Sequence, residues 1–229
     1  MAKHIGIVGG SAEGAALCYR TICTEAEASM GEHMHPEVSM HTFALGDYMA
    51  RIERGDWDDV AYMMARSATK LADVGAEFAI CPDNTFHQAY AEAVEASPIP
   101  WLHIAEVVAV AAKARGYAKV GVTGTAFLTG GPVYSAAFED SGIGVEVPSD
   151  DDREIMNTII FDRLVKGTFN DEDRATFNSI FARLGERGCD AVVMGCTEIP
   201  ILMDGVETAL PTLDSTRLLA RAALEYANS

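Results

Sequence analysis

Short apolar runs alternate along this chain with longer segments whose apolar residues recur at helical spacing. Runs such as His4–Val8 and Lys119–Thr123 contain valine or isoleucine and are followed by glycine, which predicts buried strands. Asp58–Asp73 carries its apolar residues on one helical face and predicts an amphipathic helix. Strands that alternate with helices favour parallel sheets with right-handed crossovers. The pattern therefore predicts an α/β fold.

The second half of the chain repeats the first. Gly75 and Gly188 are 113 residues apart, and so are Asp83 and Cys196. Each glycine precedes a short apolar run, and each run ends in a polar segment. We therefore predict two pseudo-symmetric domains, each a mostly parallel sheet flanked by helices, with a cleft between them. An acid in the first domain then occupies the position that a thiol occupies in the second.

The limits of the two domains are predicted from breaks in the pattern. Pro98 and Pro100 lie close together and indicate a crossover from one domain to the other. The last helix, which is predicted to end at Ala227, is expected to return to the first half. The predicted domains are accordingly residues 1–98 with 210–229, and residues 99–209.

Composition narrows the classes of partner. Hydrophobic residues make up 49% and charged residues 22% of the chain, which fits a globular protein with a full core. The net charge of −17 argues against a nucleic-acid partner, because phosphate binding requires a basic surface. The chain has no long apolar run, so we expect no membrane span. It begins with a strand-like segment, so we expect no signal peptide. Five cysteines in apolar or helical surroundings favour a reduced, cytoplasmic protein.

The glycine-rich turn after the first strand does not predict a nucleotide cofactor. Gly9, Gly10 and Gly14 lack the spacing of a dinucleotide-binding fingerprint. The backbone amides of Gly10 and Ser11, at the start of a helix, are instead suited to holding a carboxylate. The histidines at positions 33, 35 and 41 have no carboxylate or thiol at ligand spacing, so no metal is expected either.

Two polar segments follow predicted strands, Cys81–His87 in the first half and Gly195–Pro200 in the second. Ligands of open parallel sheets bind beyond the carboxyl ends of the strands. If the two domains face each other, Asp83 and Cys196 lie on opposite sides of one cleft. We interpret them as a pair of proton-transfer groups. Cys81 is expected to point away from Asp83, because side chains alternate along a strand.

These segments resemble two motifs of the aspartate/glutamate racemase superfamily, P-C-N-T-x-H and G-C-T-E-[IL]-P. Here they read Pro82–His87, with aspartate as the second residue, and Gly195–Pro200. Gly9–Gly10, Gly124–Thr125 and Pro211–Thr216 fit further motifs of that family. The resemblance runs nearly end to end. It implies two pseudo-symmetric α/β domains, a homodimer, and cofactor-independent racemisation of a small amino acid.

Racemisation without a cofactor needs an acid and a base on opposite faces of Cα, each within about 3 Å of the reacting atoms. By the resemblance, a thiolate removes the Cα proton and a thiol on the other face returns one. The enediolate formed between these steps needs donors at its oxygens. Such substrate-binding donors are predicted at Gly10, Ser11, Asn84, Thr85, Gly124, Thr125 and Thr197. For any single hydroxyl among them, capping a helix is an equally good explanation.

Asp83 departs from the family motif, which has cysteine at this position. A carboxylate of ordinary pKa, about 3.9, is a poor partner for a weakly acidic Cα–H, and burial raises the pKa of such a group. Our hypothesis is an asymmetric pair, in which Asp83 and Cys196 exchange the roles of acid and base on aspartate or glutamate. The alternatives are that Asp83 caps the following helix, that Cys196 alone decarboxylates a small dicarboxylic acid, or that the cleft binds a carboxylate without turnover.

No motif identifies the residue that would bind a second substrate carboxylate. The candidates are Arg51, Arg54, Arg163 and Lys166, and a surface salt bridge is the more ordinary role of each. The G-T-x-x-T turn of the family is incomplete, because Leu128 stands where the second threonine would be. His87 belongs to the first motif, but we expect it to be packed or hydrogen-bonded rather than to transfer protons.

Overall fold

The computed structural model describes residues 2–139 and 141–229, and in these residues eight strands and twelve α-helices alternate. The strands are β1 (Ile5–Gly9), β2 (Val38–Thr42), β3 (Phe78–Ile80), β4 (Trp101–Leu102), β5 (Lys119–Thr123), β6 (Gly144–Glu146), β7 (Ala191–Met194) and β8 (Thr212–Asp214). The helices are α1 (Ala12–Glu25), α2 (Glu27–Met30), α3 (Leu45–Ile52), α4 (Trp57–Asp73), α5 (Tyr90–Glu95), α6 (Ile104–Ala114), α7 (Ala126–Thr129), α8 (Val133–Glu139), α9 (Asp150–Asp162), α10 (Asp171–Glu186), α11 (Ile199–Leu202) and α12 (Ser215–Ala227). Two 3₁₀ helices span Asn84–Ala89 and Leu164–Lys166.

The strands form two parallel sheets with the same internal order. The first sheet runs β2-β1-β3-β4 and the second β6-β5-β7-β8. β1 pairs in parallel with both β2 and β3, and β5 pairs in the same way with β6 and β7. The predicted class, two α/β domains with parallel sheets flanked by helices, is confirmed.

The repeat seen in the sequence is also present in the backbone. Gly75 and Gly188 precede the equivalent strands β3 and β7, and both have positive φ angles, 99° and 84°. Only glycine adopts this conformation without strain, which explains why both positions carry it. The two polar segments that follow these strands therefore occupy equivalent places in their sheets.

The sheets place the domain limits later than the sequence pattern did. One compact unit comprises the residues up to Ile104 together with Thr216–Ser229, and the other comprises Ala105–Ser215. β4 pairs with β3, so it belongs to the first unit, and β8 pairs with β7 in the second. The predicted limits, after residues 98 and 209, lie before the divisions between these two compact units. The prolines before β4 mark a turn inside the first unit and not a crossover between units.

Helices α4 and α12 supply much of the core of the first unit. The buried face of α4 consists of Val60, Ala61, Met63, Met64, Ala65, Ser67, Ala68 and Leu71. Along α12 the buried hydrophobic residues are Leu219, Ala220, Ala223, Leu224 and Ala227. The end of α12 returns to the beginning of the chain, where the Lys3 N–H donates to the Ala227 carbonyl at 2.8 Å. Each fully buried aliphatic side chain contributes about 1.5–3 kcal/mol relative to leaving it in water.

Between β5 and β6, Gly130 and Gly131 separate the helices α7 and α8. Two local features differ from the prediction. The segment after Asp83 begins as a 3₁₀ helix before continuing as α5. The short helix α11 directly follows the polar segment after β7 and was not predicted. None of the helices in the described part of the chain is long and apolar enough to cross a membrane.

Candidate active site

The carboxylate of Asp83 lies at the N-terminus of α1. Its Oδ2 accepts a hydrogen bond from the Gly10 N–H at 2.7 Å, and its Oδ1 accepts one from the Ser11 N–H at 3.1 Å. β1 and β3 are neighbours in the sheet, so the turn after β1 lies beside the end of β3. Asp83 is 8% exposed. Two N–H donors and the positive end of the helix dipole stabilise the ionised form of this buried carboxylate.

This arrangement changes the roles predicted for Gly10 and Ser11. Their amides were expected to hold a substrate carboxylate, but in the structure they hold the carboxylate of Asp83. The Ser11 hydroxyl caps α1 by accepting from the Gly14 N–H at 3.3 Å. The alternative role of Asp83 is corrected as well. In the described residues its side chain does not cap the 3₁₀ helix that follows, and instead it engages the N-terminus of α1.

Gly10 is tightly enclosed by the polar segment after β3. A Cβ atom at this position would clash with the ring of Phe86 and lie 3.3 Å from Asp83 Cγ. The Phe86 ring is itself stacked on the buried Tyr48 ring, with centroids 4.1 Å apart, so it cannot easily move. The backbone at Gly10 can therefore approach the Asp83 carboxylate only because it carries no side chain.

Replacing Gly10 with alanine is expected to lower the free energy of unfolding by about 1–3 kcal/mol, because the added methyl group overpacks this site. Urea denaturation at pH 7 measures the change. Gly46→Ala is the matched control, because a Cβ there meets nothing within 4 Å, and the residue lies in helix α3. We expect the control to be neutral or slightly stabilising. Equal stability of Gly10→Ala and the wild type would contradict the close packing described above.

The other residues of the first polar segment, Asn84, Thr85 and Cys81, are buried or half-buried. Asn84 is buried and its side-chain amide donates to the Pro82 carbonyl at 3.3 Å. Thr85 is half-buried in the 3₁₀ helix. Cys81 is fully buried, and burial, followed by the charge of Asp83, raises the pKa of its thiol well above the ordinary value. A thiol of this kind remains protonated and unreactive, so Cys81 does not substitute for the missing cysteine.

His87 is buried behind this segment as a neutral side chain. Its Nε2 lies 2.9 Å from the Cys81 carbonyl, so Nε2 carries the proton and donates it. Its Nδ1 is buried and has no hydrogen-bond partner in the described residues. Burial, with a smaller effect of the adjacent His103, lowers the pKa of His87 to about 3. The packed, hydrogen-bonded role expected from the sequence agrees with this geometry.

The depressed pKa of His87 predicts that acid destabilises the protein. In the unfolded chain, His87 becomes protonated as the pH falls below its ordinary pKa of 6.5. In the folded chain, it stays neutral until the pH falls to about 3. The free energy of unfolding should therefore fall as pH falls through this window, by up to about 1.4 kcal/mol per pH unit from this group. In His87→Gln, the decrease between pH 6 and pH 5 should be smaller by about that amount. The exposed His33, changed to glutamine, is the control, and equal slopes in all three proteins would refute this assignment.

The second polar segment begins at Gly195, directly after β7, and Gly195 packs against Gly124 in the turn after β5. A Cβ at Gly195 would lie 2.6 Å from the Thr123 carbonyl oxygen and 2.6 Å from Leu128 Cδ2. Gly124 has a φ angle of 156°, and a Cβ there would lie 3.1 Å from the Gly195 carbonyl oxygen. Leu128, which replaces the second threonine of the family turn, is thus the side chain that packs over both glycines. This close approach brings Cys196 to the end of β7.

The hydroxyl groups predicted to bind substrate in the second unit have intramolecular partners. The Thr125 hydroxyl caps α7 by accepting from the Leu128 N–H at 3.1 Å. The Thr197 hydroxyl donates to Glu198 Oε2 at 2.8 Å. Capping, the alternative considered for each hydroxyl, is therefore a role that Thr125 fulfils, as Ser11 does in the first unit.

Glu198 is a polar residue of the site that the sequence reasoning did not single out. It is 1% exposed, and its Oε2 lies 3.0 Å from the Sγ of Cys196. The sequence did contain one signal, because Glu198 belongs to the motif segment Gly195–Pro200 and lies two residues after Cys196. Cys196 itself is 9% exposed and packs with the apolar core of the second unit.

The basic side chains considered for substrate binding mostly have acidic partners. Arg51 Nε lies 2.5 Å from Asp59 Oδ2, and an Arg163 terminal nitrogen lies 2.7 Å from Asp173 Oδ1. Arg54 lies 4.0 Å from Asp56, and Lys166 is exposed. In the described ranges, no group of three or more His, Cys, Asp and Glu side chains is placed to hold a metal ion.

Comparison with known proteins gives matches that cover between 74% and all of the chain. The family model described as Asp/Glu/Hydantoin racemase matches residues 5–223. The broad specificity amino-acid racemase RacX of Bacillus subtilis is 23% identical over 171 residues, which are 74% of this chain and 73% of that protein. The crystal structure of a candidate Asp/Glu racemase from Yersinia pestis is 30% identical with a TM-score of 0.88, covering 99% of this chain and all of that one. An aspartate racemase homologue from Pyrococcus horikoshii is 25% identical with a TM-score of 0.84, and both chains are fully covered.

Proposed function

Because this chain belongs to the Asp/Glu/hydantoin racemase family, we propose that it racemises a small acidic amino acid, aspartate or glutamate, without a cofactor. In this proposal Asp83 and Cys196 exchange a proton with opposite faces of the substrate Cα. The observation that carries it is their equivalence: a buried carboxylate and a thiol occupy the same place, after β3 and β7, in two sheets of identical strand order.

The chemistry of the two groups supports different roles. The Gly10 and Ser11 amides keep Asp83 ionised, so it is able to accept the Cα proton, and the same two hydrogen bonds lower its proton affinity and make it a weak base. Cys196 donates its S–H hydrogen bond to a carboxylate, so it is the group able to supply a proton to the opposite face. The reverse reaction uses the same groups with the roles exchanged, as microscopic reversibility requires. Each group needs to come within hydrogen-bond reach of Cα during turnover.

The acidic substrate class is proposed from the activities named for the relatives. It also depends on whether a basic residue is available to bind the second substrate carboxylate. Binding the second carboxylate of aspartate or glutamate through Arg51 or Arg163 requires opening an ion pair, whereas Lys166 is exposed. The broad specificity in the name of the Bacillus subtilis relative makes neutral amino acids a necessary part of the test.

The test is incubation of each enantiomer of aspartate, glutamate and alanine in D₂O, followed by proton NMR and chiral chromatography. Loss of the Cα–H signal together with growth of the opposite enantiomer supports racemisation. If alanine were turned over as fast as aspartate and glutamate, the proposed substrate class would be small amino acids in general and not acidic ones. Release of CO₂ from a small malonate, without racemisation, would favour a decarboxylase that uses Cys196 alone. Ligand-dependent thermal stabilisation without turnover would favour a carboxylate-binding protein.

A further inference from the structure

The carboxylate of Glu198 is buried beside the proposed catalytic thiol. Its Oε2 receives two hydrogen bonds, from the Sγ of Cys196 at 3.0 Å and from the Thr197 hydroxyl at 2.8 Å. Glu198 is 1% exposed, so water does not solvate this group. A buried carboxylate is costly unless it is paired or hydrogen-bonded, and its position therefore requires an explanation.

The ordinary structural roles of a buried glutamate do not account for Glu198. It occupies the N-cap position of α11, but its side chain makes no capping hydrogen bond there. No basic side chain forms an ion pair with it in residues 2–139 and 141–229. Its Oε1 is buried without a hydrogen-bond partner in the same residues, which costs stability. The contacts that the carboxylate does make are with the Cys196 thiol and the neighbouring Thr197 hydroxyl.

We propose that Glu198 is a positioning residue that fixes the protonation state of Cys196: the two side chains share one proton, which rests on the sulfur. This inference deepens the proposed function and rests on it for the role of Cys196. A carboxyl group is more acidic than a thiol by about four pH units, so the shared proton stays on sulfur. The negative charge of the carboxylate also disfavours a second negative charge on the sulfur.

The consequence is a thiol that is reliably protonated before it acts. When Cys196 protonates the substrate, its S–H bond breaks and the bonding electrons stay on sulfur. The lone pair of the substrate carbanion forms the new C–H bond. The thiolate then lies next to a carboxylate, which increases its affinity for a proton. In the reverse reaction, the raised proton affinity makes the thiolate a stronger base toward the weakly acidic Cα–H. General base catalysis is most efficient when the proton affinity of the base is close to that of the group it deprotonates.

Other ionisable groups lie at the same end of the second sheet. Asp214 is opposite Met194 in the ladder between β7 and β8, and the ring of Tyr134 packs near Gly195. Burial raises the pKa of Tyr134, so this phenol remains neutral. The contribution of Glu198 is therefore isolated by comparing variants that differ only at position 198.

The test measures the pH dependence of Cys196 alkylation by iodoacetamide, with each cysteine quantified by peptide mass spectrometry. In the wild type, the midpoint of reactivity should lie above that of an ordinary thiol, about pH 8.5. In Glu198→Gln, which retains an acceptor oxygen but no charge, the midpoint should fall by at least one pH unit, a tenfold rise in thiolate at neutral pH. Glu198→Asp retains the charge and should restore part of the shift. Cys23, in the same samples, is the internal reference and should not change.

A wild-type midpoint at or below that of free cysteine would overturn the proposal, even if the glutamine variant failed to fold. An unchanged midpoint in a folded Glu198→Gln variant would overturn it as well. The measurement requires no substrate. A shift without any racemase activity would therefore leave the inference standing while refuting the proposed function, and activity without a shift would do the opposite.

Discussion

Replacing Cys196 with serine is expected to lower kcat for racemisation by about a thousandfold in both directions. General acid–base groups contribute about 10²–10⁴ to a rate, and a hydroxyl group neither releases nor accepts a proton at neutral pH as readily as a thiol does. Serine can still donate to Glu198, so the segment after β7 should keep its conformation. The decrease is measured with each enantiomer by chiral chromatography, with circular dichroism as a check of folding.

The matched control is Cys23→Ser. Cys23 is a half-buried thiol in α1, far along the chain from both polar segments, and its replacement should leave kcat within about twofold of the wild type. If Cys196→Ser kept more than a tenth of the wild-type activity, the thiol could not be a proton-transfer group, and the proposed mechanism would have to be abandoned.

Replacing Asp83 is expected to have an effect nearly as large. Asparagine removes the charge, and its amide nitrogen has to face one of the two N–H donors, Gly10 or Ser11. We expect kcat to fall by about 10²–10³-fold, together with a loss of stability from the unsatisfied donor of about 1–3 kcal/mol. Urea denaturation separates the loss of stability from the loss of activity.

A second variant at the same position, Asp83→Cys, tests whether a thiol serves better than a carboxylate. It restores the residue that the family motif carries at this position, and the amides at the N-terminus of α1 would stabilise a thiolate there. A thiolate matches the weakly acidic Cα–H better than a carboxylate does, so we expect racemisation to rise above the wild-type rate. A folded Asp83→Cys variant with unchanged or lower activity would count against the pairing of positions 83 and 196.

The hydrophobic pattern was sufficient to predict the strands and most of the helices. α4 carries regular apolar spacing with clear ends, and its predicted range, Asp58–Asp73, differs by one residue from the range Trp57–Asp73 in the structure. The repeat at an offset of 113 residues also predicted that Asp83 and Cys196 would follow equivalent strands. These features depend on local sequence, where periodicity and glycine turns carry the information.

The contacts of the site could not be predicted in the same way. The Asp83 carboxylate engages amides more than 70 residues earlier in the chain, and this depends on the adjacency of β1 and β3. The sequence shows each turn only separately, so those amides were predicted to bind a substrate. Similarly, the contact between Glu198 and Cys196 depends on how the chain bends between β7 and α11, which the residue types do not determine.

In the proposed mechanism, Asp83 and Cys196 serve opposite faces of one substrate carbon. The most direct test of this arrangement is Cα–H exchange in D₂O with stoichiometric Asp83→Asn and Cys196→Ser, each given the L- and the D-enantiomer separately. We expect each variant to exchange the Cα–H of one enantiomer without inverting it, and the two variants to act on opposite enantiomers. Exchange of the same enantiomer by both variants would contradict it.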